Sequence, residues 1–314
     1  MNTVTTLTEF ILKEERRHKN ATGSFTLLLT HIENAAKIIA SHIKRTGLVD
    51  ILGKTGAKNV YNEDVQKLDE FSNKLLVDLL SESGQVGYLA SEELAEPITV
   101  DKKGQYNVFF DPLDGSSNID TNISIGTIFS IYHNDGNLLK PGKKQVASGY
   151  IIYGSSVMFV YTFGNGVNGF TLDPAIGSFL LSHPHIRIPE MVNTTYSINE
   201  AYYDQFEPAI KKYLDTIKKE SKVTARYVGS MVADVHRTLL KGGIFLNPAR
   251  INKPEGKLRL MFEVNPLSYV VEQAGGASVS GKNNPLDIVP QKLEQRIPIV
   301  MGSKNEVEKY LEYC

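Results

Sequence analysis

Two short acidic clusters, each preceded by an apolar run, constrain this chain more than any other feature. Ser91-Glu92-Glu93 follows the apolar stretch 86–89, and Asp111-Pro112-Leu113-Asp114-Gly115-Ser116-Ser117-Asn118 follows Val108-Phe109-Phe110. Both runs have the length and composition of buried strands, so the acids fall at strand carboxyl ends, the edge where open α/β sheets bind ligands. Glu92, Glu93, Asp111 and Asp114 gathered at one edge repel one another unless hard cations lie between them. Magnesium favours such oxygen donors and shares them with substrate phosphates. A single acidic turn reads as an ordinary polar turn. Two at strand ends, the second running into Gly115-Ser116-Ser117, point to a metal-phosphate site.

Roles follow from residue type and position. Glu92, Asp111 and Asp114 are suited to ligate metal, with Leu113 adding its backbone carbonyl. Gly115, Ser116 and Ser117 offer backbone N–H groups, because glycine lets the main chain approach a phosphate closely. Glu93, adjacent to Glu92 on a strand end, is expected to point the other way and to serve as a water-activating base. Asp69, beside the buried Leu68 early in a helix, is a second candidate base. Glu63, at the end of a segment rich in Gly, Lys and Asn (47–62) expected to be a mobile loop, could reach a further cation on closure.

Apolar spacing predicts a helix over 24–45, from Phe25, Leu28, Leu29, Ile32, Ala36, Ile39 and Ile43, and a second ending near Ser83-Gly84, from Val65, Leu68, Phe71, Leu75, Leu76 and Leu79. Runs at 125–131, 146–153, 157–163 and 169–172 read as an antiparallel meander. The stretch 182–190, with its Pro and His residues, reads as the boundary between halves at 1–187 and 188–314. Beyond it come helices over 207–220, 230–241 and 260–274, strands over 243–246, 277–280 and 297–301, and a C-terminal helix. The pattern is that of a layered α/β or α+β enzyme.

Lys plus Arg total 34 against 35 for Asp plus Glu, a formal charge of −1. That balance argues against nucleic acid or an anionic membrane as partner. Cys314 is the only cysteine, so no intrachain disulfide forms, and with no apolar secretion core or membrane-length apolar run the expectation is a cytoplasmic protein. His183 and His185 lack nearby metal-binding partners, and the Lys140–Lys144 run reads as a solvated turn.

The acidic pair, the Asp111–Asn118 run, Ala225-Arg226-Tyr227-Val228-Gly229-Ser230-Met231 and Gly256-Lys257-Leu258-Arg259 together resemble class I fructose-1,6-bisphosphatase, over nearly the whole chain. The Asp-Pro-Leu-Asp run alone is shared by a wider superfamily of lithium-sensitive, magnesium-dependent phosphatases. The run 226–234 is more specific, and the absence of tryptophan and the segment Met261–Pro266 set the chain apart from inositol monophosphatase relatives. The resemblance implies a layered α+β sugar-phosphatase fold: N-terminal helices on a mostly antiparallel sheet in a regulatory-type half carrying the metal-site acids, then a mixed α/β, sugar-phosphate-binding half. It implies magnesium, two or three ions per site with manganese as the alternative, held by Glu92, Asp111, Leu113, Asp114 and Glu263. It implies fructose 1,6-bisphosphate as substrate, with Glu93 and Asp69 deprotonating the attacking water. Asn199, Tyr202, Tyr227 and Lys257 would hold the 6-phosphate, and Ser117 and Met231 would contact the sugar. Arg226 would reach into a neighbouring subunit of a homotetramer.

Three departures stand out. Asn247 occupies a position where the family commonly has a tyrosine on the 6-phosphate, and Glu63 replaces a common aspartate. Residues 22–26 and Tyr106 match an AMP-binding pattern, but Gln105 and His133 replace its Lys and Arg, so AMP is expected to inhibit weakly. Rival readings are a dual enzyme that also cleaves sedoheptulose 1,7-bisphosphate and a non-catalytic sugar-phosphate sensor.

Overall fold

The computed structural model describes residues 4–16, 23–45, 54–58, 64–190, 195–220 and 222–314. Helix α1 (Leu7–Glu15) opens on a reciprocal cap in which Thr6 and Glu9 satisfy each other's backbone N–H groups. Helix α2 (Ser24–Ile43) and an antiparallel ribbon of β1 (Lys54–Lys58) and β2 (Asp64–Gln66) lead into α3 (Lys67–Glu82). The expected loop 47–62 therefore contains a strand, and Val65, assigned from its apolar spacing to the helix, lies in β2.

The main sheet follows in β3 (Val86–Ser91), β4 (Ile98–Thr99), β5 (Tyr106–Asp114), β6 (Ile125–His133), β7 (Gln145–Tyr153), β8 (Val157–Thr162), β9 (Val167–Asp173) and β10 (Ser178–Ile186). Its eight strands run in the order β10-β9-β8-β7-β6-β5-β3-β4, and every pair is antiparallel except β3 with β5. Strand β10 occupies the first part of the stretch expected to separate the halves. Its ladder with β9 is irregular at Leu181, His183 and Ile186, which hid its period-two pattern.

A second, mixed sheet is drawn from β11 (Thr195–Ser197), β12 (Thr224–Ala225), β13 (Ile244–Asn247), β15 (Ala277–Val279) and β17 (Ile299–Gly302), in the order β12-β11-β13-β17-β15. Helices α4 (Pro208–Ile217), α5 (Met231–Lys241), α6 (Asn265–Gln273) and α7 (Lys304–Leu311) flank it, and a ribbon of β14 (Leu258–Arg259) and β16 (Arg296–Ile297) lies apart. The strand expected over 297–301 is thus broken between β16 and β17 at Pro298, which has no N–H to give a ladder.

The layers follow from alternation along the strands. Ala147, Ile151, Phe159 and Tyr161 face Leu28, Ile32, Ile39, Leu76 and Leu80 of the N-terminal helices. Tyr150, Ile152, Met158 and Val160 face Val232, Val235 and Leu239 of α5 and Leu267, Val270 and Val271 of α6. In the second sheet Phe245, Ile299 and Met301 join that same core, while Ile244, Leu246 and Val300 face α4 and α7 through Leu214, Ile217 and Val307. The result is helix, sheet, helix, sheet, helix. Both faces of both sheets are covered, so the strands read as continuous apolar runs. Each fully buried Val, Leu or Ile contributes roughly 1.5–3 kcal/mol.

Two local features position the site. Gly126 of β6 lets α5 approach: a Cβ there would lie 2.7 Å from Val232 Cγ1 and 2.3 Å from the Ile151 carbonyl oxygen. Ahead of α6 the helix expected from residue 260 opens into a π-turn over Leu260–Val264. Pro266 has no N–H to return to the Phe262 carbonyl, so regular α-helical bonding cannot start earlier, and the wide turn carries Glu263.

Candidate active site

The one parallel pair of the main sheet creates the site. Ser91 pairs with Phe110, and the Glu92 N–H donates to the Phe110 carbonyl at 3.0 Å. Both strands therefore deliver their acids at one edge. Strand β3 ends at Ser91, so Glu92 and Glu93 lie in a turn. Their side chains do not diverge as strand alternation predicts; they are in hydrogen-bonding contact and line one cleft.

That cleft has a volume of about 370 Å³. It is lined by Asp69, Glu92, Glu93, Asp111, Leu113, Asp114, Gly115, Ser116, Ser117, Met231 and Glu263, together with Tyr227, Asn247 and Lys257. Ligand oxygens of Asp111, Asp114 and Glu263 lie within 4.8 Å of one another, and all three residues are buried. Asp69 is buried too, in the first turn of α3.

Buried acids at this density resist ionisation. Burial raises the pKa of Asp111 well above the usual range, and Glu92, Asp114 and Glu263 add repulsion. Burial raises Glu92 as well, against the opposing charge of Arg259. Burial likewise raises Asp114, opposed by donors from Val232 and Ser230 and by Lys257. Glu263 is pushed up to about 7 by burial and by Asp114, although the Arg259 N–H donates to it at 2.6 Å. A cluster of buried carboxylates whose pKa stays raised despite Arg259 and Lys257 beside it is the donor chemistry of a hard divalent cation.

One segment connects this cluster to the rest of the cleft. Asp114 Oδ2 accepts from the Ser230 hydroxyl and the Val232 N–H, both at 2.8 Å. Asp234 accepts from the N–H groups of Val228 at 2.9 Å and Gly229 at 3.0 Å. Gly115 completes the contact: its φ is +81°, and a Cβ there would sit 2.6 Å from the Ser230 Cβ. Any other residue would both strain the turn and displace the group that holds Asp114.

A second cavity of about 200 Å³ adjoins the first and shares Tyr227, Asn247 and Lys257 with it. Asn199 and Tyr202 line it, and the Asn199 side chain hydrogen-bonds Tyr227. Of the residues singled out in the sequence, two stand apart. Arg226 lines neither cavity; its exposed guanidinium donates to the Ala225 carbonyl at 2.9 Å. Glu63 lies outside the described residues.

Sequence reasoning missed Asp234, Arg259, Arg296, Arg250 and Lys253, which also line the cavities. Asp234 and Arg259 sit inside motifs singled out above. The others carry no periodic signal. Arg259 is the central ion-pair partner, joining Glu92 and Glu294 from a largely buried position.

Comparison with known proteins agrees with this geometry. Residues 5–184 match the model of the fructose-1-6-bisphosphatase N-terminal domain, and residues 188–314 match that of its C-terminal domain. The chain belongs to the fructose-1,6-bisphosphatase family. It is 55% identical to the class 1 fructose-1,6-bisphosphatase of Persephonella marina, covering 98% of this chain and 97% of that one. It is 54% identical to the counterpart from a Sulfurihydrogenibium species, over 96% and 95% of the two chains. Among solved structures, the holo form of Leishmania major fructose-1,6-bisphosphatase superposes with a TM-score of 0.94 at 41% identity, covering 99% of each chain. A T-state form of the same enzyme gives 0.89 at 42% identity, over 99% of each chain. The fold expected from the sequence, helices on a mostly antiparallel sheet followed by a mixed half, is the fold of this family.

Proposed function

We propose that this chain hydrolyses the 1-phosphate of fructose 1,6-bisphosphate to fructose 6-phosphate and inorganic phosphate, in gluconeogenesis. The observation that carries the reading is the pairing of cavities: an acidic one adjoins one whose ionisable walls are cations and tyrosines, with Tyr227, Asn247 and Lys257 between them. A bisphosphate matches that pairing, with one end taken by metals and the other by the protein.

Glu92, Asp111, Asp114, Glu263 and the Leu113 carbonyl are the donors for magnesium, with manganese the alternative. When bound, the ions neutralise the reacting phosphate and make water a stronger acid. Glu93 and Asp69 line the same cleft, which supports a role for them in taking the proton of the attacking water. Gly115, Ser116 and Ser117 bring main-chain N–H groups to the reacting phosphate. Met231 and Ser117 border the sugar. Asn199, Tyr202, Tyr227, Asn247 and Lys257 hold the remote phosphate, whose binding energy orients the reacting one.

Arg226 lies outside the cavities of its own subunit, which supports a role in a neighbour's site and a homotetramer as the working form. No helix among the described residues is long and apolar enough to cross a membrane; the proposed location is the cytoplasm. The test is phosphate release from fructose 1,6-bisphosphate, sedoheptulose 1,7-bisphosphate and inositol 1-phosphate, each with magnesium and with EDTA. Magnesium-dependent turnover of the fructose ester is expected. Comparable sedoheptulose turnover would make the enzyme dual, and release from none of the three would favour a sensor.

A further inference from the structure

The second cavity contains three cations, Arg250, Lys253 and Lys257, and no carboxylate among its lining residues. In a chain with balanced charge, that local excess is a binding feature. Lys257 belongs to the clamp described above; Arg250 does not. We propose that Arg250 is a substrate-binding residue for the remote phosphate, and that it sets the preference for a bisphosphate over a monophosphate.

The guanidinium is held in place before any ligand arrives. Arg250 and Lys253 exchange backbone hydrogen bonds of 3.1 and 2.9 Å, which closes a tight turn after β13. The turn is tied to the chain segment that carries Tyr202: Arg250 forms a bridge with Phe206, and the Ile251 N–H donates to the Gln205 carbonyl at 2.9 Å. Above this anchor the Arg250 guanidinium carbon lies 4.0 Å from the centre of the Tyr202 ring. Contact with the ring consumes no N–H donor, so the guanidinium keeps its fork for bidentate bonds to phosphate. Among the described residues the guanidinium has no carboxylate within ion-pair distance. It therefore has an anchored backbone, an aromatic support and no carboxylate partner, on a cationic cavity.

This inference rests on the fructose bisphosphatase reading, and two measurements separate them. The first compares kcat/KM for fructose 1,6-bisphosphate and fructose 1-phosphate in wild type, Arg250→Ala and Arg250→Gln. Loss of charge-assisted bonds is expected to lower the bisphosphate value about 10- to 100-fold and to leave the fructose 1-phosphate value within about threefold. Arg250→Lys should recover only part of the loss, because it restores the charge without the planar fork. The second is calorimetric titration of metal-free protein with fructose 6-phosphate, which carries the remote phosphate alone. Its affinity should fall by a similar factor in Arg250→Ala and Arg250→Gln. If wild type releases no phosphate from fructose 1,6-bisphosphate, the functional reading fails and the titration still decides Arg250. Unchanged fructose 6-phosphate affinity, or an equal loss on both sugar phosphates, would overturn the proposal.

Discussion

Lowering the pH below 6.5 should destabilise this protein through one imidazole. His236, on α5, hydrogen-bonds through Nδ1 to the Tyr150 hydroxyl at 2.9 Å, their rings edge to face. Burial lowers its pKa to about 4, and the His183 side chain adds a smaller push the same way. The folded state then binds fewer protons than the unfolded chain between pH 6.5 and about 4, so stability falls as pH falls through that window. The depression of about 2.5 pH units corresponds to at most about 3 kcal/mol, present above the unfolded pKa and lost below the folded one. His236→Gln keeps a partner for Tyr150 and removes the titration. The chain has no tryptophan, so unfolding by urea is best followed by far-ultraviolet circular dichroism, at fixed protomer concentration. Wild type should lose up to about 3 kcal/mol more than the variant between pH 7 and pH 4. Parallel pH curves for the two proteins would refute the reasoning.

Glu263→Gln should leave the metal-free protein at least as stable as wild type at pH 8, because the raised pKa makes the ionised Glu263 a cost that grows as pH rises through about 7. Added magnesium should raise the melting temperature of wild type and leave the variant nearly unmoved; a large magnesium shift in the variant would count against Glu263 as a ligand. Arg226→Ala and Glu93→Gln subunits, each nearly inactive alone, should regain activity in verified hybrids, since one site of a hybrid pair carries both lesions and another neither. No recovery would place Arg226 in its own subunit's site. AMP should inhibit weakly: besides Gln105 and His133, the Glu15 carboxylate already occupies the start of α2, accepting from the Thr26 hydroxyl at 2.6 Å and its N–H at 3.3 Å. Inhibition at low micromolar AMP would contradict this.

Glu92, Glu93, Asp111 and Asp114 were legible because they follow apolar strands directly, and a parallel pair is enough to align their ends; Glu263, in the π-turn before α6, was implied only by the resemblance. Helices α2 and α3 were legible from their apolar stripes for the same local reason. The remote cavity was not. Its walls come from the turn after β11, from the segment before α5 and from the loop after β13, and only the register of the second sheet brings them together. Only the resemblance singles out the clamp residues, and no motif contains Arg250. Helix α1 carries its own signal in Thr6-x-x-Glu9, a capping pattern that the structure shows in use. The opposite orientation expected for Glu92 and Glu93 assumed that the strand continued; it ends at Ser91, where alternation no longer applies.

On the proposed function, the opposed charge of the two cavities would also give ligand binding a sequence in time. Before metal arrives, the acidic cavity repels a phosphate and the cationic one attracts it, so a bisphosphate can anchor by one end only. A divalent cation held by those acids would supply the positive charge that the other end needs. After hydrolysis the two products rest on opposite chemistries. A chelator should strip inorganic phosphate from the acidic side and leave the sugar phosphate in place, whereas high salt should loosen the sugar phosphate.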